Sequence, residues 1–381
     1  MLSLKNKILL FPYWAALKIR HFLYDKGIFR STEYPVPVIC VGNITVGGTG
    51  KTPHTEMIIR MVQNKYRIAV LSRGYKRKTK GFRIASASDT FAEVGDEPLQ
   101  IKQKFPHITV AVCENRRTGI EKLLALPEPG KGVEGPLRPQ MIILDDAFQH
   151  RKVKPSHNIV LINWHNPIFS DNLLPLGRLR DLPEQIKRAH SVIVTKAPRF
   201  GEHDGIIDAP LAAEQIAPVA KEWSTRLGLR SDQKLCFSYI CYGSPLPVYP
   251  SDADNRYIYS GSAVFFTGIA NDTEFRNHLV GSYKILDSIK FPDHCNFTRS
   301  NIKEINRWAA KYPTSVVLTT EKDSKRLMGN PYLSAELKKR LFYVPIEVRI
   351  LPQSPIGKQH NQEVLQPLQD HFLLQVSGGS P

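Results

Sequence analysis

Val36-Pro-Val-Ile-Cys-Val-Gly-Asn-Ile-Thr-Val-Gly-Gly-Thr-Gly-Lys-Thr52 is the stretch that decides the fold. A β-branched, apolar run leads into glycines, and the glycines lead into Lys51-Thr52. Beyond them Met57, Ile58, Met61 and Val62 recur at helical spacing, with Pro53 suited to the opening turn, where its missing N–H costs nothing. Strand, glycine turn and helix start therefore follow in the order of a phosphate-binding loop. Gly47, Gly48 and Gly50 allow backbone N–H groups to turn towards an anion, and the helix beginning near Thr52 adds the positive end of its dipole. In such a loop Lys51 reaches the β- and γ-phosphates of a nucleotide such as ATP, Thr49 lies within the turn, and the Thr52 hydroxyl ligates Mg²⁺. Thr45 stands at the first glycine position of the general G-x-x-x-x-G-K-[ST] pattern, so the loop is a variant with its early flexibility in Gly47-Gly48.

A second element supports the first. Met141-Ile-Ile-Leu144 runs into Asp145-Asp146, an apolar strand that delivers carboxylates to the metal shell of a nucleotide site. Short β-branched runs at Val36–Val41, Ile68–Leu71, Ile108–Val112, Met141–Leu144, Ile159–Ile162 and Val192–Val194 alternate with longer mixed segments, the pattern of βαβ units. The expected fold is α/β: a P-loop NTPase-like three-layer parallel sheet with a second, smaller α/β domain. Leu235–Tyr242 and Phe342–Ile350 pair as a connecting ribbon in this reading, with Val264–Thr267 and Val316–Thr320 between them. The expected domains are an N-terminal helix over 1–30, a P-loop domain over 31–230 and the smaller domain over 231–381. Pro127 to Pro139 reads as a surface loop.

The formal charge of +17, from 52 basic and 35 acidic side chains, favours a partner carrying negative charge: nucleic acid, anionic lipid or a phosphorylated substrate. Five scattered cysteines without a C-x-x-C pair argue for a reducing compartment and inert thiols. Ile8 to Leu17 (ILLFPYWAAL) is uncharged, flanked by Lys5, Lys7, Lys18 and Arg20. It falls well short of the ~20 residues that span a bilayer. It reads either as an interfacial helix, with Tyr13 and Trp14 at headgroup depth, or as a helix packed on its own domain.

A phosphate loop specifies a nucleotide and leaves the reaction open. Transfer to an alcohol needs a group that takes the hydroxyl proton. Asp96, in Val94-Gly-Asp-Glu-Pro98, is a candidate, although Asp in such a turn also serves as a helix N-cap. His294, in Phe291-Pro-Asp-His-Cys-Asn-Phe297, belongs to the second domain. Arg73-Gly-Tyr-Lys-Arg-Lys-Thr-Lys-Gly-Phe-Arg83 suits an anionic substrate group, nucleic acid, or solvent alone. From these residues a kinase, a membrane-bound ATPase switch and a nucleic-acid-dependent enzyme all stay open.

The chain resembles the tetraacyldisaccharide 4′-kinases, the lipid A 4′-kinases of Gram-negative bacteria. The matching segments are Val41–Pro53, Leu71-Ser-Arg-Gly-Tyr75, Val94–Pro98, Leu144-Asp-Asp-Ala-Phe-Gln-His-Arg151, Leu174-Pro-Leu-Gly-Arg-Leu-Arg-Asp181, Phe291-Pro-Asp-His294 and Thr319-Thr-Glu-Lys-Asp323. Thr-Val-Gly-Gly-Thr-Gly-Lys-Thr is that family's own form of the loop. The resemblance implies transfer of the ATP γ-phosphate to the 4′-hydroxyl of an acylated glucosamine disaccharide 1-phosphate. It implies Asp96 as base with His294 as helper, Lys51 on phosphate, Thr52, Asp145 and Asp146 at the metal, and Arg116 and Arg180 near the reacting phosphates. The implied setting is an anionic membrane surface at the cytoplasmic face of the inner membrane, with no nucleic acid partner. Asn115 and Asp181 depart from the family's more usual Asp and Glu.

Overall fold

The computed structural model describes residues 4–130, 134–203, 206–293 and 295–352. His294 and part of the Pro127–Pro139 loop lie outside the described residues. The chain divides into two compact units: Met1–Ser88, Ile101–Ile240 and Val348–Pro381 form the first, Asp89–Gln100 and Cys241–Glu347 the second. The first unit thus runs past the boundary expected near residue 230, and Asp96 counts with the second.

The first unit opens with α1 (Leu4–Asp25). β1 (Val38–Asn43) begins two residues later than expected, just after Pro37, which has no N–H for a ladder. Then come α2 (Lys51–Val62), β2 (Ile68–Ser72) and the two-residue β3 (Arg83–Ile84). The chain enters the second unit for α3 (Phe91–Val94) and the start of α4 (Asp96–Lys104), then returns. β4 (Thr109–Val112), α5 (Arg116–Leu124), β5 (Met141–Asp145), β6 (His157–Asn163) and β7 (Ser191–Thr195) follow. A small hairpin, β8 (Glu202–His203) with β9 (Ile206–Ile207), precedes α6 (Ala209–Leu227) and β10 (Lys234–Tyr242).

The second unit continues with β11 (Leu246–Pro247), β12 (Ser262–Thr267), α7 (Thr273–Val280), β13 (Lys284–Lys290) and α8 (Arg299–Ala310). It closes with β14 (Val316–Thr320), α9 (Glu321–Leu327), α10 (Ala335–Arg340) and β15 (Leu341–Val344). β16 (Ile346–Ile350) then rejoins the first unit's sheet.

That sheet has nine strands in the order β16-β10-β7-β6-β1-β5-β2-β4-β3, parallel from β10 to β4, with β3 antiparallel at one end. Every residue of β1, β2, β5 and β7 is buried, as in a sheet covered on both faces. The order of strands reverses at β1: β5, β2 and β4 lie to one side, β6, β7 and β10 to the other. The crevice beyond its carboxyl end is the topological switch point, where open α/β sheets bind ligands.

The second unit carries a five-stranded sheet, β11-β15-β14-β12-β13, parallel except for β11. Its core joins Phe266, Trp308, Val317 and Leu341 on one side and Phe265, Phe275 and Phe342 on the other. The stretch read as one long strand, Phe342–Ile350, is two. Pro345 separates β15, which completes the second unit's sheet, from β16, which pairs with β10.

Candidate active site

β1 ends at Asn43, and the loop that follows must reverse direction before α2 begins. Two positive dihedrals do this, Gly47 at φ 93° and Gly50 at φ 79°, both in the region glycine enters without steric cost. The Thr49 N–H closes the turn on the Gly47 carbonyl at 2.9 Å, and Asn43 Nδ2 donates to Thr49 Oγ1 at 2.8 Å. A Cβ placed on Gly47 or Gly48 meets nothing within 4 Å, so the turn lies open. Gly50 brings no side-chain cap to α2, leaving the helix's first N–H groups to an anion.

One turn into α2, His54 is buried. Its Nδ1–H donates to the Gly50 carbonyl at 2.7 Å and its Nε2 accepts from Ser238 at 2.9 Å. Burial pushes this imidazole down to about 4.

A segment far away in sequence braces the loop. The Val46 N–H donates to the Arg178 carbonyl at 2.8 Å, and the Arg180 N–H donates to the Ile44 carbonyl at 2.9 Å. This short antiparallel pairing carries the Arg180 guanidinium to the end of β5. There it grips Asp146 through both terminal nitrogens and also reaches Asn43 Oδ1. Lys51 Nζ stands 3.7 Å from the same carboxylate. Burial alone would raise the Asp146 carboxyl, but Lys51 and Arg180 together hold it below the usual range. Asp146 has φ 48°, a left-handed conformation held just where the strand meets the site. Lys51, Asp146 and Arg180 thus converge beside the open glycine turn.

Asp145, at the last position of β5, is fully buried and accepts from Thr55 at 3.3 Å and Ser72 at 3.4 Å. Thr52, one turn before Thr55, is buried too. Arg116 donates to the carbonyls of Cys113 and Asp145 at 2.6 and 3.0 Å. Its terminal nitrogens therefore tie the ends of β4 and β5 together, and its charge helps to keep Asp146 ionised. Asn115 serves as N-cap of α5, accepting from the N–H groups of Arg117 and Thr118.

α1 packs on its own unit along one side, as the second reading of the N-terminal segment expects, and leaves apolar side chains exposed on the other. Leu10, Leu17 and His21 are buried against the first unit, and the Tyr13 hydroxyl donates to the Arg180 carbonyl at 2.9 Å. Arg151 donates to His21 Nδ1 at 3.0 Å, which places the ring proton on Nε2, 2.6 Å from Asp181 Oδ1. Asp181 is therefore committed to α1 and to the Leu182 N–H. On the other face Phe11, Ile19 and Phe22 stand exposed; Trp14, at the edge of the buried stripe, is also exposed, with Lys18 over its ring. No helix among the described residues is long and apolar enough to cross a membrane.

Asp96 lies in the second unit as the first residue of α4. The Leu99 N–H bonds to the carbonyl of Gly95, so Gly95 takes the capping position, and the Asp96 carboxylate is turned to Arg326. In the basic loop after β2, Arg77 is drawn onto Glu114 and the Gly81 carbonyl, while Arg73, Lys76, Lys78 and Lys80 are exposed. Cys40 and Cys236 are buried with thiols pushed up to about 12, in keeping with inert packing.

Sequence reasoning missed Asn43, Gln149, which donates to the Asn43 carbonyl, and Arg326. The first two sit inside the quoted motifs, beside the residues that drew attention. Arg326 lies one helical turn beyond Asp323, a spacing that could have flagged it.

The family model described as tetraacyldisaccharide-1-P 4′-kinase matches residues 7–365. The tetraacyldisaccharide 4′-kinase of Parabacteroides distasonis is 42% identical over 353 residues, covering 90% of each chain. That of Bacteroides thetaiotaomicron is 40% identical over 352 residues, 89% of this chain and 87% of that one. A crystal structure of LpxK from Aquifex aeolicus in complex with ATP superposes with a TM-score of 0.68 at 25% identity, covering 98% of this chain and 100% of that one. The chain belongs to the tetraacyldisaccharide-1-phosphate 4′-kinase family.

Proposed function

We propose that this protein transfers the γ-phosphate of ATP to the 4′-hydroxyl of an acylated glucosamine disaccharide 1-phosphate, the 4′-kinase step of lipid A biosynthesis. The observation that carries the reading is the convergence of Lys51, Asp146 and Arg180 beside an open glycine turn at the end of β1. Bound phosphates offer Lys51 and Arg180 a partner of higher charge than Asp146, and Gly47 through Gly50 line the turn that takes them. Family membership does not favour the ATPase switch without an alcohol acceptor.

The donor set suits Mg²⁺. No group of three His, Cys, Asp or Glu side chains among the described residues forms a metal cage. Mg²⁺ does not need one, because it takes one or two carboxylates and completes its octahedron with phosphate oxygens and water. Thr52, Asp145 and Asp146 would hold it, and when bound it neutralises charge developing on the phosphates. In the transfer, the 4′-oxygen attacks the γ-phosphorus while the bond to the bridging oxygen of ADP breaks. Asp96 takes the hydroxyl proton, with His294 as its helper. Lys51 and Arg180 draw negative charge off the moving group, and Arg116 keeps the ends of β4 and β5 fixed behind it.

The substrate's acyl chains set the place of work. We assign the outward face of α1 to an anionic membrane surface, on the cytoplasmic side where ATP is available. Its aromatic residues would lie at headgroup depth, and the net positive charge would hold it there. The exposed cations Arg73, Lys76, Lys78 and Lys80 suit the substrate's 1-phosphate. Incubation of labelled ATP with the acylated disaccharide 1-phosphate, with RNA or with no acceptor tests the assignment. Label should enter the lipid alone; release of inorganic phosphate independent of acceptor would overturn it.

A further inference from the structure

The second unit surrounds Asp96 with a device that the phosphate loop does not explain. Arg326 Nε and Nη2 both donate to Asp96 Oδ2, at 2.9 and 2.5 Å, so the guanidinium fork fixes the carboxylate through a single oxygen. The Arg326 side chain is completely buried, and its Nη1 donates to Asp323 Oδ1 at 3.0 Å. Asp323 is itself immobilised. Its Oδ2 accepts from the Gly268 N–H at 2.8 Å and the Thr320 hydroxyl at 2.7 Å, and its own N–H donates to Thr320 Oγ1 at 3.1 Å. Gly268 permits this approach: a Cβ there would lie 2.9 Å from Asp323 Oδ1.

The same short segment supplies the rest of the mount. Thr320 caps α9, and Glu321 accepts the Ile346 N–H at 3.2 Å. α9 is short, and with both its cap and its first turn fixed it presents Arg326 from a rigid base. Among the described residues, charged groups near Asp96 include Glu97, its neighbour on α4, and Lys322, which stands 3.9 Å from Asp293. Arg326 is in direct contact with the carboxylate.

We propose that Arg326, anchored by Asp323, is the positioning residue for Asp96: it orients the carboxylate and keeps it ionised to take the substrate proton. Building that anchor is the function of the Thr319–Asp323 segment. The inference rests on the reading of Asp96 as base and names what makes that base competent. A guanidinium that only filled space would leave the pH dependence of turnover unmoved. One that acts through Asp96 ties its effect to Asp96.

The test compares the full-length protein with Arg326→Gln, Arg326→Lys, Asp323→Asn, Asp96→Asn and the double variant Asp96→Asn/Arg326→Gln, following thermal midpoint, kcat, KM and the pH profile of kcat. Arg326→Gln should lose about 10²-fold in kcat, part of the worth of a positioned base, with KM for ATP within about twofold. Its acid limb should move to higher pH, because a carboxylate without its cation protonates sooner. Arg326→Lys should restore the acid limb and part of the rate, and Asp323→Asn should fall between them. In the Asp96→Asn background Arg326→Gln should cost nothing further. Normal kcat and acid limb in Arg326→Gln would overturn the inference, as would a loss fully additive with that of Asp96→Asn. Should the Gln variant fail to fold, Arg326→Lys decides: wild-type kcat with the fork removed counts against positioning. Near-normal turnover in Asp96→Asn would sink Asp96 as the base, a separate failure.

Discussion

Replacing Phe11 and Phe22 by serine removes half of the apolar face that α1 presents outward. Phe11, Trp14, Ile19 and Phe22 are 62%, 41%, 60% and 54% exposed. With side-chain areas of order 200 Å², that face offers roughly 400 Å² of apolar surface. At about 25 cal/mol per Å², complete immersion would contribute about 10 kcal/mol, and an interfacial helix immersed to about half its depth about 5 kcal/mol. The two phenylalanines account for about half of that, so the double variant should lose roughly 2.5 kcal/mol, or between about ten- and a hundredfold in partition. Sedimentation with vesicles of phosphatidylethanolamine and phosphatidylglycerol measures this directly. Both side chains lie on the face turned away from the buried Leu10, Leu17 and His21, so thermal stability should change by no more than about 0.5 kcal/mol. Turnover on detergent-dispersed acceptor should stay near normal. Unchanged vesicle binding would refute the assignment of this face to the membrane.

Other perturbations probe the site. Asp96→Ala should abolish phosphorylation while ATP binding, followed by fluorescence of a nucleotide analogue, largely survives; retained turnover removes Asp96 from the mechanism. Arg180→Ala strips a charged partner from Asp146 and a brace from the loop, and should weaken ATP binding by about 1.5–3 kcal/mol, read by calorimetry. Unchanged affinity would mean that the pairing with Arg178–Arg180 holds the loop without the guanidinium. His54 is buried neutral, with its pKa lowered to about 4 from 6.5. Because the unfolded chain takes up this proton first, the linked stability is fully present above pH 6.5 and is lost as pH falls towards 4, about 3 kcal/mol in all. His54→Gln should flatten that part of the acid stability profile in denaturant titrations; an identical slope in both proteins would show that His54 does not carry it.

The nucleotide half of the site was legible because it is local. Strand, glycine turn and helix lie within one stretch, and Met141–Asp146 reads as a strand ending in carboxylates without reference to anything distant. What could not be read was the long-range pairing. Arg178 and Arg180 meet Val46 and Ile44 from far along the chain, and no periodicity announces an isolated bridge of this kind. His21 and Asp181 join across a similar distance, and an amphipathic helix pattern does not say which residue finds a carboxylate. The long strand drawn over Phe342–Ile350 ignored Pro345, whose missing N–H was visible in the sequence. From its own turn Asp96 reads either as a base or as a helix cap; its contact with Arg326, 230 residues on, takes the carboxylate away from the cap, and no local pattern announces that contact.

The most direct measurement is the structure and stoichiometry of the product. When the protein, Mg²⁺-ATP and acylated disaccharide 1-phosphate are incubated together, phosphorus NMR and mass spectrometry should find one new phosphate monoester, attached at the 4′ carbon, for each ADP formed. ADP and inorganic phosphate accumulating with the lipid unchanged, or a phosphate placed on another hydroxyl, would contradict it.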